Sequence, residues 1–297
     1  MNINNNFTPL AWHKGDIELQ SNRATYAFGH IVPLIAHNQI FVPFQIFTEP
    51  NAVDISSYAV KLYNTAGTVV VDSVNIGLVK VPESGFDVII YKGGVITPSL
   101  PIGQYYLMLT SGGNIWYSDV VTIVSDVTKM TRIEWWDYTD LRFGSGIIKY
   151  RYSVGGEVQQ YKNRMYFLEE LGMPEYTVEE EGETRDGLFY ATKIVSGKKY
   201  RMNVVQCSET MCDALRFIHL SDNVQVRDGY GRMYYCDSVL VTPEWQNGAV
   251  ASAAFEITTD TFAKQVGEGY DGESPIIEGE TGVIGDAVIG DTFVIGA

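Results

Sequence analysis

At 297 residues the chain is long enough to bury a substantial core without metals or disulfides, and its 29 Gly and 19 Tyr favour strands and turns over long helices. The net charge of −15, from 36 acidic against 21 scattered basic residues, argues against nucleic-acid binding, which needs clustered Lys and Arg. No stretch reaches transmembrane length, and Met1-Asn2-Ile3-Asn4-Asn5-Asn6 lacks the basic-then-apolar order of a secretory leader, so neither membrane insertion nor export is expected.

Apolar alternation around turn residues predicts hairpins along the chain. Ala59 to Asn64 and Val69 to Asp72 flank Thr65-Ala66-Gly67, and Tyr105 to Thr110 and Ile115 to Val121 flank Ser111-Gly112-Gly113-Asn114. A boundary is expected near Ser125 to Lys129, after the run Val120 to Val124 and before the aromatic-rich "IEWWDYTD". In that segment Glu134, Asp137 and Asp140 stand beside Trp135, Trp136 and Tyr138, a composition that suits a sugar site with stacking platforms. It equally suits a strand with one Trp buried and its neighbour on the opposite face.

Arg164 to Gly172 fits a helix or, with Tyr166-Phe167, a strand. Glu179-Glu180-Glu181-Gly182-Glu183 lacks the spaced pattern of a calcium loop and reads as a solvated turn. Phe189 to Val195 and Lys199 to Val205 are expected to form a hairpin about Ser196-Gly197. Glu209 to Leu220 reads as the one convincing helix: Ser208 suits the N-cap, and Met211, Leu215 and Ile218 fall on one face. Asp228-Gly229-Tyr230-Gly231 reads as a turn before a strand from Arg232 to Cys236.

Signatures of chemistry are sparse in the chain. There is no Gly-x-Ser-x-Gly elbow, phosphate loop or paired-His helix, and His13, His30, His37 and His219 are widely spaced. Cys207, Cys212 and Cys236 lack the paired spacing and fourth ligand of a zinc site; they read as reduced thiols filling apolar space. No catalytic residue, cofactor or metal is therefore expected.

The last residues differ in kind. Between 265 and 297 the chain carries eight Gly, seven acids and no base, yet keeps β-branched pairs to its end. Such a segment is too short to bury itself. Its Gly and acid content suits a free, disordered tail, but its aliphatic side chains, Val283, Ile284, Val288, Ile289, Phe293, Val294 and Ile295, favour an extended arm that straps onto a neighbour, with the acids keeping it in solution beforehand.

The expected architecture is all-β: two tandem antiparallel sandwich or barrel domains with one short helix. They are an Ig-like domain at 1–128 and a second at 129–266 with the helix near 209–220; the arm at 267–297 follows. Over residues 7 to 262, through "GQYYLMLTSGGNIWYSDVVTI", "TRIEWWDYTDLRF", "GMPEYTVEEEGETRDG" and "KKYRMNVVQCSETMCDALRFIHLSDNVQV", the chain resembles structural proteins from phages and prophages of Bacteroidetes, including crAss-like phages. The resemblance implies a non-enzymatic virion component of the tail, neck or baseplate, assembled in the host cytoplasm. It also implies a ring of copies of itself with neighbouring virion proteins as partners. A carbohydrate- or receptor-binding module built on Trp135, Trp136 and Tyr138, with a glycan as partner, is the competing expectation.

Overall fold

The computed structural model describes residues 8–14, 34–37, 41–48, 59–64, 68–71, 78–93, 99–111, 114–143, 146–246, 250–265, 283–284 and 287–288. It is mostly β, with one short α-helix among the described residues. The chain divides into two compact units, one of Met1–Glu179 with Val195–Phe262 and one of Glu180–Ile194 with Ala263–Ala297.

The first unit opens with β1 (Trp12–Lys14), β2 (Leu34–His37), β3 (Phe44–Thr48), β4 (Ala59–Asn64), β5 (Val69–Val71), β6 (Val79–Glu83), β7 (Phe86–Tyr91), β8 (Gly103–Ser111), β9 (Asn114–Ser118) and β10 (Val121–Val124). The hairpins β4–β5 and β8–β9 form where alternation and turn residues place them. The strand expected from Ile115 to Val121 is interrupted, however. β9 and β10 lie end to end along one edge of β8, with β4 on the other edge, and the register slips by one residue between Met108↔Tyr117 and Tyr105↔Val121. Ser118 accounts for the break: its Oγ accepts from the Leu107 amide at 2.9 Å, in place of a ladder carbonyl, and donates to the Asp119 carbonyl at 2.8 Å.

β3, β7 and β6 make a separate three-stranded sheet with both faces buried. Phe44, Ile46, Ile89 and Tyr91 enter one core cluster; Phe47, Val88 and Ile90, one residue out of step, enter a second. This double burial explains why Phe86–Tyr91 carries a nearly continuous apolar run instead of alternating with polar residues. Trp12 meets Phe44 edge-on at 5.1 Å, locking this sheet onto β1.

The next strands are β11 (Thr131–Trp136), β12 (Leu141–Phe143), β13 (Gly146–Ile148), β14 (Arg151–Val154), β15 (Glu157–Gln160) and β16 (Asn163–Phe167). Long strands follow: β17 (Glu175–Arg185), β18 (Leu188–Ser208), β19 (Asn223–Arg227), β20 (Met233–Gln246) and β21 (Val250–Gln265). The strands β1-β9-β8-β10-β2, with β4 also on β8 and β5 on β4, make one seven-stranded sheet, in which β10 and β2 pair parallel where an antiparallel sheet was expected; a second runs in the order β16-β11-β19-β20-β21-β18-β17. Arg164 to Phe167 is thus strand, paired with β11.

Two expectations fail here together. Ser196-Gly197 does not turn; both lie inside the 21-residue β18, and Glu179–Glu183 lies inside β17. The reversal comes at Asp186-Gly187, whose φ values of 51° and 79° are those of a two-residue type I′ turn.

Helix α1 (Glu209–Leu215) starts where its sequence says, with the Met211 amide donating to Ser208 Oγ at 3.2 Å, and tightens into a 3-10 segment at Arg216–Leu220. Met211, Leu215 and Ile218 are buried in the main cluster. The Asp228–Gly231 turn also forms, because the buried Asp228 carboxylate accepts from the Tyr230 and Arg232 amides, Arg232 Nε and Tyr234 OH. A Cβ on Gly229 would stand 2.6 Å from the Lys129 carbonyl oxygen. Gly229→Ala is therefore expected to cost about 2–3 kcal/mol by forcing two backbone segments apart, read as a lower urea midpoint at unchanged slope.

The main cluster gathers residues from Leu10 to Ile257, so one apolar core runs through the first unit and across the 128/129 junction. In the second unit, β22 (Val283–Ile284) and β23 (Ala287–Val288) pair antiparallel with each other, Val283 opposite Val288.

Candidate functional site

The sequence-named aromatics separate instead of converging. Trp135 is fully buried in the main cluster, and Trp136, one residue along β11, is 8% exposed in the second cluster with Ile147, Tyr150, Tyr161 and Phe217. Lys162 Nζ stands 3.7 Å from the centre of the Trp136 ring and caps it. Only Tyr138 is exposed, at 56%. The expected stacking platform is thus not formed, because period-2 alternation sends adjacent indoles to opposite cores.

The neighbouring carboxylates are equally committed. Glu134 is buried and paired with Arg164 at 2.5 Å across the β11–β16 ladder. Asp137 Oδ1 accepts from the Tyr138 and Thr139 amides, and Asp140 holds Lys149 Nζ at 2.6 Å and the Tyr150 amide at 3.1 Å. Asp137 also faces Asp222, and its negative charge, together with a hydrogen bond between the two carboxyls, raises the Asp222 carboxyl above its ordinary value. Behind the pair, Tyr150 OH lies 3.4 Å from Ser221 Oγ and Tyr161 OH donates to Asn163 Oδ1 at 3.1 Å. Burial pushes the Tyr150 phenol up to about 12. This polar cluster at the ends of β16, β11 and β19 was not legible in the sequence, since its members come from four separate segments.

His13, Asp119, Thr210 and Ser208 form a second chain of polar contacts. His13 Nε2 is 2.7 Å from Asp119 Oδ1, Thr210 Oγ1 donates to Asp119 Oδ2 at 3.2 Å, and Ser208 Oγ lies 2.9 Å from Thr210 Oγ1. The carboxylate stands between imidazole and hydroxyl, the reverse of the order in which a His activates a hydroxyl nucleophile. The arrangement ties β1 and the β9–β10 bulge to the start of α1. His219 instead accepts from the Val241 amide at 3.2 Å.

The clearest exposed feature is the hairpin tip in the second unit. Glu181 pairs with Lys193 at 3.1 Å and Glu183 with Arg185 at 2.8 Å, while Thr192 Oγ1 donates to the Glu181 carbonyl at 3.1 Å. Directly after the type I′ turn, Leu188, Phe189 and Tyr190 are 62%, 52% and 52% exposed. Three consecutive large apolar residues at a strand start are costly to leave in water; isolated ones are not. The signal that could have found this tip is Asp186-Gly187, the strongest short hairpin marker. In the first unit, Tyr176, Val178, Tyr235, Leu240, Trp245 and Phe262 are also exposed.

Of the arm residues, Val283, Ile284 and Val288 fall on the β22–β23 pair, and Ile289, Phe293, Val294 and Ile295 lie outside the described residues. Among the described residues no group of three or more His, Cys, Asp or Glu is placed to hold a metal ion, and no helix is long and apolar enough to cross a membrane. No protein-family model matches the chain, and no curated protein matches it.

Proposed function

We propose that this protein is a non-enzymatic structural subunit of a bacteriophage virion, a tail, neck or baseplate component that assembles with copies of itself and with neighbouring virion proteins. The observation that carries the reading is the exposed Leu188-Phe189-Tyr190 tip: a type I′ hairpin rigidifies its backbone, leaving apolar side chains for a partner to cover. By its sequence, the arm, with Val283, Ile284, Val288, Ile289, Phe293, Val294 and Ile295, offers a second apolar element for a neighbour to cover. The resemblance to phage structural proteins supports the same assignment. Two sandwich-type halves, 1–128 and 129–266, joined by the apolar core they share, would give a ring its rigid body, and the strap would join neighbours. The glycan-binding alternative is weakened by the burial of Trp135 and Trp136, which leaves only Tyr138 of its three aromatics exposed.

Solution mass by size exclusion with light scattering tests the reading. The full-length protein is expected to form a defined oligomer, and a chain ending at Lys264 to lose it or shift it to smaller species. Phe189→Ser with Tyr190→Ser is expected to weaken assembly by about 2 kcal/mol or more, roughly 30-fold in concentration. With a charge of −15 on each copy, assembly should strengthen as ionic strength rises. A monomer at every concentration and salt level, in all three proteins, would rule out self-assembly in solution.

A further inference from the structure

Cys207 and Cys212 occupy a defined relation that the assembly reading does not use. Ser208 is the N-cap of α1, with extended backbone at φ −74° and ψ 161°, and its Oγ accepts the Met211 amide. Cys207 is therefore the residue just before the cap, and Cys212 the fourth residue of the helix. In a capped helix start these two positions pack against each other as a hydrophobic staple. Both thiols are free; Cys207 is fully buried in the main cluster, and Cys212, half-buried, packs against that cluster with access to solvent. The staple here is thus made of two sulfur atoms, where two aliphatic side chains would serve packing alone.

The pair is also chemically unequal. The neighbouring Cys212 thiol, followed by burial, pushes the Cys207 thiol far up, and Cys207 in turn holds the Cys212 thiol below its ordinary value despite its burial and the nearby Asp213 and Glu209. Cys236 differs from both: burial pushes its thiol up to about 12, and its Sγ contacts the Tyr234 carbonyl oxygen at 3.9 Å.

We propose that Cys207 and Cys212 are a reversible dithiol–disulfide site at the head of α1, with Cys212 as the attacking thiol and Cys207 as the resolving one. Its co-substrate class is a low-molecular-weight disulfide such as oxidised glutathione. The Cys212 thiolate attacks one glutathione sulfur, the glutathione S–S bond breaks, and one glutathione leaves as a thiolate that takes up a proton. Cys207 then loses its proton and attacks Cys212 Sγ, forming the intrachain bond and releasing the second glutathione. Two protein thiols are oxidised and one disulfide is reduced to two thiols.

The test equilibrates the purified full-length protein in glutathione buffers of rising oxidised fraction, alkylates it and maps its tryptic peptides by mass. Cys207 and Cys212 share the peptide 202–216, whereas Cys236 lies after Arg232 on another. Peptide 202–216 is expected to lose both alkylation sites together and two hydrogens in mass, reversibly, while the Cys236 peptide stays alkylated. Cys207→Ser is expected to trap a glutathione adduct on Cys212, and Cys212→Ser to leave Cys207 unmodified. The wild-type peptide map stands even if a Ser variant fails to fold. A 202–216 peptide that stays doubly alkylated in the most oxidising buffer, while circular dichroism remains native, would overturn the proposal. A folded Cys212→Ser protein that readily accepts glutathione on Cys207 would overturn the assigned order.

Discussion

Trp135→Ala is expected to lower stability by about 3–5 kcal/mol, enough to unfold a large fraction of a marginal protein, and not to remove a binding function selectively. The side chain is fully buried, sits opposite Asn163 on β16 and Val224 on β19, and belongs to the cluster that runs from Leu10 to Ile257. Removing it opens a cavity between β11 and the elements packed on it, which close-packed neighbours cannot refill. Urea unfolding followed by circular dichroism reads the effect as a lower midpoint. A variant with the wild-type midpoint that had lost binding to a glycan array would restore the platform reading.

Lys149→Met is expected to cost about 2–3 kcal/mol at neutral pH, below the full penalty for breaking a buried ion pair because the site keeps some solvent contact. Lys149 Nζ lies 2.5 Å from Glu83 and 2.6 Å from Asp140, and Arg142 reaches Glu83 at 3.1 Å. The Gln45 amide fixes the backbone there, donating to the Lys149 carbonyl at 2.8 Å and accepting its amide at 3.0 Å. The Met side chain fills similar volume but leaves two carboxylates facing each other. Burial alone would raise the Glu83 carboxyl, yet the hydrogen bonds and charges of Lys149 and Arg142 outweigh it and hold it below 4.5. Burial likewise opposes the charged form of Lys149, and Asp140 and Glu83 hold it above 10.5.

The sign of the pH dependence follows from these directions. The depressed Glu83 carboxyl contributes stability above 4.5 that is lost as pH falls through its folded value; the raised Lys149 ammonium contributes stability below 10.5 that is lost as pH rises through its own. The gap between wild type and Lys149→Met should therefore be widest between these limits and narrow on both sides. Thermal melts across that range check it, and a gap constant with pH would mean that packing, not charge, holds the site together.

Several parts of the fold were legible from the chain alone because their causes are local. Alternation with turn residues located β4, β5, β8 and most of β9; Ser208 marked the head of α1, and Asp228 marked a turn that its own carboxylate organises. What the sequence could not decide was which of two locally plausible readings the rest of the molecule would reward. Ser196-Gly197 has the composition of a turn, yet β18 runs straight through it with a strand on either side. A Cβ at Gly197 would meet Thr177 Oγ1 on one flank at 3.5 Å and Thr261 Oγ1 on the other at 3.4 Å. Backbone groups held between two partners gain more from staying extended than from a local reversal, so the hairpin moved to Asp186-Gly187.

The candidate site follows the same division. Composition alone established an acidic all-β chain without a catalytic signature and with an aliphatic arm, since residue types determine charge, strand preference and the chemistry on offer. Tertiary structure alone decided that Trp135 and Trp136 enter separate cores, that Asp137 meets Asp222, and that Leu188, Phe189 and Tyr190 stay in water. Each of those outcomes depends on segments tens of residues apart, and burial is a property of the neighbours a residue acquires, which no local pattern contains.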